Sequence, residues 1–348
     1  MTITASDHTR PGASFGVGSL PHRSLAAALD FVWSSTAMPT ISSLPRRSPA
    51  EAMVPQALVG IAGVSVGQYS GIAVDLNALD IDAPVDTDLS ADAFGSFAAF
   101  LETFDSRRSA ATTHVKWQFV GPVTLALALE RAGVAPEIAL PLALRAVRGH
   151  VSALQQAVTD ACGDVTQVIV LDEPSFTDAL EPGSGLEGVD IVDTVSGALA
   201  SVDSRNIAGV HSCARTDWGA LLATGAQLLS VPVPSPNDGE AKAAMVDGAS
   251  RIADHLDHGG RIAWGAVRTD GPVPNSAERP WKNLMEAMCD LVRAGVDPLV
   301  LRKRCFVTPD CGLASHSESS AARVMSIASE VGERVRQQST ASRLTLGS

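Results

Sequence analysis

Eight short apolar runs, each closing on polar or glycine-rich residues, alternate along the chain with longer stretches whose apolar positions recur every three or four residues. The short runs read as strands: "SFGVGS" (14–19), "PTISSL" (39–44), "VKWQFV" (115–120), "QVIVLD" (167–172), "NIAGVH" (206–211), "QLLSVP" (227–232), "RIAWGA" (261–266) and "RCFVTP" (304–309). The long stretches, such as "RSLAAALDFVWS", "LPLALRAVRGHVSALQQAVTDAC" and "WKNLMEAMCDLVRAG", read as amphipathic helices. Alternation of the two predicts right-handed βαβ units and a parallel sheet. Eight repeats closing on themselves give an α/β fold, a (β/α)8 TIM barrel, and 348 residues suit one.

Residues 60–112 break the rhythm. "VSVGQYSGIAVDLNALDIDAPVDTDLS" reads as a strand or hairpin with an acidic loop, ahead of the helix "ADAFGSFAAFLETF". The expected organisation is one catalytic unit over 1–340 with this insertion after the second strand, and a frayed tail over 341–348, at the end of the patternless "QQSTASRLTLGS".

Composition narrows the class. With 45% hydrophobic and 18% charged residues, a large core is expected and global disorder is excluded. Aromatics reach only 4%, so Ala, Val, Leu and Ile must fill that core. A net charge of −12 argues against nucleic acid or an anionic membrane as partner, because phosphates are repelled on average. "MTITASDHTRPGASF" lacks a basic start followed by an apolar run, and no apolar segment is long enough to span a bilayer. Five scattered cysteines do not form a disulfide framework. These features predict a soluble cytoplasmic protein.

Barrel enzymes place their chemistry at the carboxyl ends of the strands. Here those ends carry Ser19 and His22, Arg46 and Arg47, Asp172 and Glu173, His211 and Cys213, Arg268 and Asp270, and the run "PDCGLASHS" with Cys311. The sharpest subset is His211, Cys213 and Cys311. Alternate strand residues share a face, so His211 and Cys213 present a nitrogen and a sulfur side by side. Zinc favours imidazole and thiolate, and a catalytic site keeps three protein ligands with one exchangeable position. The eighth strand can supply the third ligand across the barrel mouth. Cys162, Cys289 and Cys305 read as core thiols, and His316 as a spare ligand.

The motifs "GVGSLPH", "FVGPVT", "VLDEPSF", "HSC" and "VTPDCGL" resemble, in that order, the catalytic half of cobalamin-independent methionine synthase, in the superfamily that also holds uroporphyrinogen decarboxylase. The resemblance spans about residues 14–330 and points to a short, single-barrel form. It implies a methyltransferase in which zinc, held by His211, Cys213 and Cys311, activates a small thiol, homocysteine, for attack on a methyl donor. Methyltetrahydrofolate or a methyl-corrinoid is the implied donor. Ser19 falls where the family contacts the amino acid's carboxylate and Asp172 where it binds the amine, with Glu173 beside it. Asp270 and His22 are the candidates for proton handling.

Several positions depart from that pattern. The family's fourth zinc ligand, a Glu near the end of strand six, is replaced in "LLSVPVPSPND" by Val231 and Pro232. Asp238, Glu240, solvent or a three-ligand site are the alternatives. The family's second amine-binding Glu falls in "LPRRSPAEAMV", near Arg47. A guanidinium there suits a carboxylate, sulfonate or phosphate. "LALALERAG" replaces the aromatic residues that stack on folate. Three rivals follow: a transferase acting on an acidic thiol, as in epoxyalkane:coenzyme M transferases; a metal-free decarboxylase like uroporphyrinogen decarboxylase; and a non-catalytic zinc-binding barrel.

Overall fold

A computed structural model describes residues 10–67, 71–184 and 188–346. Its centre is a curled sheet of six parallel strands in sequence order: β3 (His114–Val120), β4 (Thr166–Asp172), β5 (Ile207–His211), β6 (Leu228–Pro232), β7 (Arg261–Val267) and β8 (Cys305–Pro309). Every crossover carries at least one helix, so both faces of each strand are covered and the strands are almost wholly apolar. A separate antiparallel pair, β1 (Val64–Val66) and β2 (Ile72–Val74), lies in the 60–112 region ahead of the helix Gly95–Arg107. No helix among the described residues is long and apolar enough to cross a membrane.

The first two predicted strands are not continuous strands. They touch the sheet through isolated parallel bridges, Ser14 to Val307 on β8 and Thr40 to Lys116 on β3, and touch each other at Ser19 and Ser43. Backbone bonds run along these contacts: Val307 N–H to Ala13 O at 3.1 Å, Ile41 N–H to Lys116 O at 2.8 Å, and Leu20 N–H to Ser43 O at 2.9 Å. Gly16, Gly18, Pro39, Ser42 and Ser43 fall in these segments, and such residues weaken a continuous ladder.

Side-chain alternation sorts the sheet into two layers. Ile169, Leu171, Val115, Trp117 and Phe119 face the helices and join the main core. On the concave side, Phe15, Met38, Val168, Val170, Ile207, Leu228, Ala263 and Phe306 form a second apolar cluster drawn from around the curl. This plug fills the amino-terminal end of the interior. β3 contributes none of its side chains to that plug: its inward positions at this level are Lys116 and Gln118. The last helix, Glu318–Leu346, crosses most of the stretch that lacks a sequence pattern.

The 60–112 region is pinned to the core by a buried histidine. His150, on the helix Pro136–Cys162, accepts from the Thr87 hydroxyl at 2.9 Å and donates to Ala57 O at 3.2 Å. Burial pulls its pKa down to about 4. The unfolded chain therefore takes up this proton first as the pH falls. The resulting stability is complete above about pH 6.5 and drains away toward pH 4, at about 1.4 kcal/mol per pH unit. Urea unfolding at pH 7 and pH 4.5 is expected to show a smaller acid loss for His150→Gln than for the parent. Equal losses would contradict this.

Candidate functional site

Register sets the site. Asp172, His211 and Ser230 are direct neighbours on β4, β5 and β6. The chain leaves β5 through Ser212 and Cys213 and leaves β8 through Asp310 and Cys311. One ligand atom from each of His211, Cys213 and Cys311 lies within 4.8 Å of the others. His211 is buried, with Nδ1 at 3.1 Å from Ser230 O and 2.9 Å from Ser230 Oγ. A carbonyl only accepts, so Nδ1 carries the proton and Nε2 keeps its lone pair. Nε2 is buried without a hydrogen-bond partner. An orphaned imidazole nitrogen beside two sulfurs is a donor set suited to zinc.

The sulfurs behave as a pair. Lying beside Cys311 raises the pKa of the Cys213 thiol, and Cys213 and His211 together lower that of Cys311 well below the ordinary thiol range. All five cysteines are free. Asp238 and Glu240 are not part of the ligand group: Asp238 caps a helix through Ala241 N–H at 2.9 Å, and Glu240 pairs with Arg215 at 2.8 Å.

Two chambers meet at these sulfurs. The first, of about 340 Å³, is lined by Ser19, Met53, Gln118, Asp172, His211 and other residues, none of them Lys or Arg. The second, of about 460 Å³, carries Arg215, Asp238, Arg268, Asp270 and Asp310 on its walls beside Trp218, Pro232 and Val233. Cys213 and Cys311 line both. In the first chamber Asp172 has a buried Oδ1 with no partner. Burial pushes this carboxyl up to about 6, against the pull of His211 and Lys116.

Other predicted site residues are committed elsewhere. Arg47 is held by Glu51 at 2.5 Å and Asp92 at 2.8 Å, and Arg46 donates to Ser315 O at 2.9 Å. Neither lines the first chamber, so no guanidinium is offered there to an anion. Glu173 is fully buried and accepts from Val123 N–H, Thr124 N–H and the Thr124 hydroxyl at 2.6–2.9 Å. It caps the helix Pro122–Arg131 and faces away from the chamber that Asp172 lines. Gly121 is obligatory beneath it, since any Cβ would overlap the Glu173 carboxylate. Asp270 sits in the second chamber, where its ion pair with Arg268 lowers its pKa and keeps it ionised. That makes it a poor proton donor. His22 packs on Phe31 with its ring centroid at 5.0 Å, lines neither chamber, and has its pKa lowered by burial.

Two residues outside every predicted motif, Lys116 and Gln118, stand on the inward side of β3. Lys116 is buried, and its ammonium donates to Val17 O and, at 2.9 Å, to Gln118 Oε1. Burial lowers its pKa to about 8, with Asp172 acting to hold it up. The available signal was two polar residues at alternate positions of an otherwise apolar strand, "VKWQFV".

No family model matches the chain, and no curated protein matches it in sequence. Solved structures do share its fold. One is a methyltransferase from Methanosarcina mazei, with a TM-score of 0.55 and 13% identity over 93% of this chain and 94% of that one. Another, described as a vitamin-B12 independent methionine synthase from Listeria monocytogenes, gives a TM-score of 0.54 and 14% identity over 93% of this chain and 98% of that one.

Proposed function

We propose that the protein is a zinc-dependent methyltransferase acting on a small aminothiol, with homocysteine as the leading acceptor, on a single (β/α)8 barrel over about residues 1–340. In that barrel the bridged segments 14–19 and 39–44 stand in the first two strand places. The observation that carries the reading is the orphaned Nε2 of His211 facing two sulfurs at the junction of two chambers. The fold shared with a methanogen methyltransferase and a protein described as a methionine synthase supports it.

His211, Cys213 and Cys311 would hold the metal, and Ser230 fixes the imidazole tautomer. When bound, zinc would lower the pKa of the acceptor thiol and keep it as thiolate near neutrality. Asp172 offers the unpartnered Oδ1 to the acceptor's ammonium, and the Ser19 hydroxyl lines the same chamber. The acceptor's sulfur then forms a bond to the methyl carbon as the donor's bond to it breaks, leaving the electron pair on the donor. The second chamber takes the methyl-bearing end of that donor, a methyltetrahydrofolate or a corrinoid. A folate donor then takes a proton from solvent and a corrinoid needs none; Asp270, paired with Arg268, and His22, outside both chambers, supply none. An acidic thiol without an ammonium is disfavoured because Asp172 lines the first chamber while Arg46 and Arg47 do not. The decarboxylase reading loses the same arginines.

Metal analysis of protein purified without added metal is expected to find about one zinc per chain. Such protein should methylate homocysteine from one of the two donors. Protein that retains no metal after zinc loading and dialysis would overturn the proposal.

A further inference from the structure

An amino-acid acceptor brings a carboxylate into a chamber that has no Lys or Arg on its walls and already holds Asp172 and two sulfurs. Something must offset that charge. The inward face of β3 supplies it. Lys116 can only donate, so its contact to Gln118 fixes which end of the amide is which. Oε1 points to the ammonium, and the NH2 group is left with no hydrogen-bond partner among the described residues. Gln118 lines the chamber, its amide lying in space that Gly18 leaves open, since any Cβ there would overlap it. Behind it Lys116 is buried and makes no ion pair among the described residues. A carbonyl bonded to an ammonium is polarised, which strengthens the amide's N–H donors.

We propose that Gln118 is the specificity residue that receives the acceptor's carboxylate through its NH2 group, with Lys116 as the positioning residue behind it. This rests on the reading of the first chamber as the acceptor site. It places the anion-recognising donor on β3, not on the arginines after the second segment.

The test compares calorimetric affinities for homocysteine and its decarboxylated analogue, and for their S-methyl products, methionine and its decarboxylated analogue. The parent should bind the carboxylate-bearing member of each pair ~10–100-fold more tightly, the range of a hydrogen bond to a charged group. Gln118→Glu keeps an acceptor for Lys116 but replaces the NH2 with oxygen, and should bring that ratio to about one or below. The added negative charge should leave the amine-only ligands bound at least as tightly as in the parent. Gln118→Leu, which adds no charge, should likewise bring the ratio to about one. Lys116→Met should lower it in the same direction. An unchanged ratio in both Gln118 variants, or no preference for the carboxylate in the parent, would overturn the proposal. The methionine pair has no free thiol, so its ratio reports on Gln118 even in metal-free protein. Failure to retain zinc would count against the proposed function alone.

Discussion

A Cys311→Ser variant is expected to leave purification with less than about a tenth of a zinc per chain, and to lose thiol methylation with the metal. The donor set has three members, and a serine hydroxyl is not ionised at neutral pH as a thiolate is. Structural zinc sites of four ligands bind with roughly 10–16 kcal/mol. One ligand's share of that weakens binding by about 100-fold or more. Cys213→Ser should behave alike, because it holds the same position toward the pair. Cys289→Ser is the control: its side chain is exposed and outside the ligand group, so its metal content should match the parent. Melting curves give a second readout. Zinc should raise the melting temperature of the parent and of Cys289→Ser, since a ligand that binds only the folded state stabilises it. It should have little effect on Cys311→Ser. Full zinc retention in both serine variants would remove the basis of the site.

Glu173→Ala should destabilise the fold by roughly 3–5 kcal/mol, read from urea unfolding, while leaving zinc content near the parent's. The carboxylate satisfies two backbone N–H groups and a hydroxyl at the start of the helix Pro122–Arg131. Its removal strands three buried donors, each costing about 1–3 kcal/mol, and opens a cavity. Glu173→Gln retains one acceptor oxygen and should lose about half as much. Gly121→Ala should be damaged as severely as Glu173→Ala, by overlap. A Glu173→Ala protein of unchanged stability that no longer binds the aminothiol would instead make Glu173 a substrate residue.

The legible parts of the sequence were those where pattern and chemistry coincide. β3 to β8 begin and end within a residue of their predicted limits, because buried parallel strands are unbroken apolar runs flanked by turns. His211, Cys213 and Cys311 were legible because each follows such a run, and the curl of the sheet closes the sequence gap between them. The short apolar runs at 14–19 and 39–44 predict strands, but such a run says nothing of how far a glycine- and serine-rich stretch can sustain a ladder. Arg47 differs from its expected place for another reason. Sequence order puts a guanidinium near the mouth but does not show the Glu51 and Asp92 that claim it. Glu173 adjoins Asp172 in sequence, yet the strand's alternation sends the two to opposite sides. Gln118 was passed over because an amide announces no chemistry until the group holding its oxygen is known.

The apolar plug of Phe15, Met38, Val168, Phe306 and their neighbours fills the foot of the curled sheet's concave side, while two chambers open above the same pair of sulfurs. The interior is thus a forked shaft with a filled foot. Under the proposed function, metal, acceptor and product would all use the openings above the plug. A fork also frees two reactants from queuing: one arm can stay occupied while the other fills. Saturation with the acceptor should therefore not behave as competition against the donor.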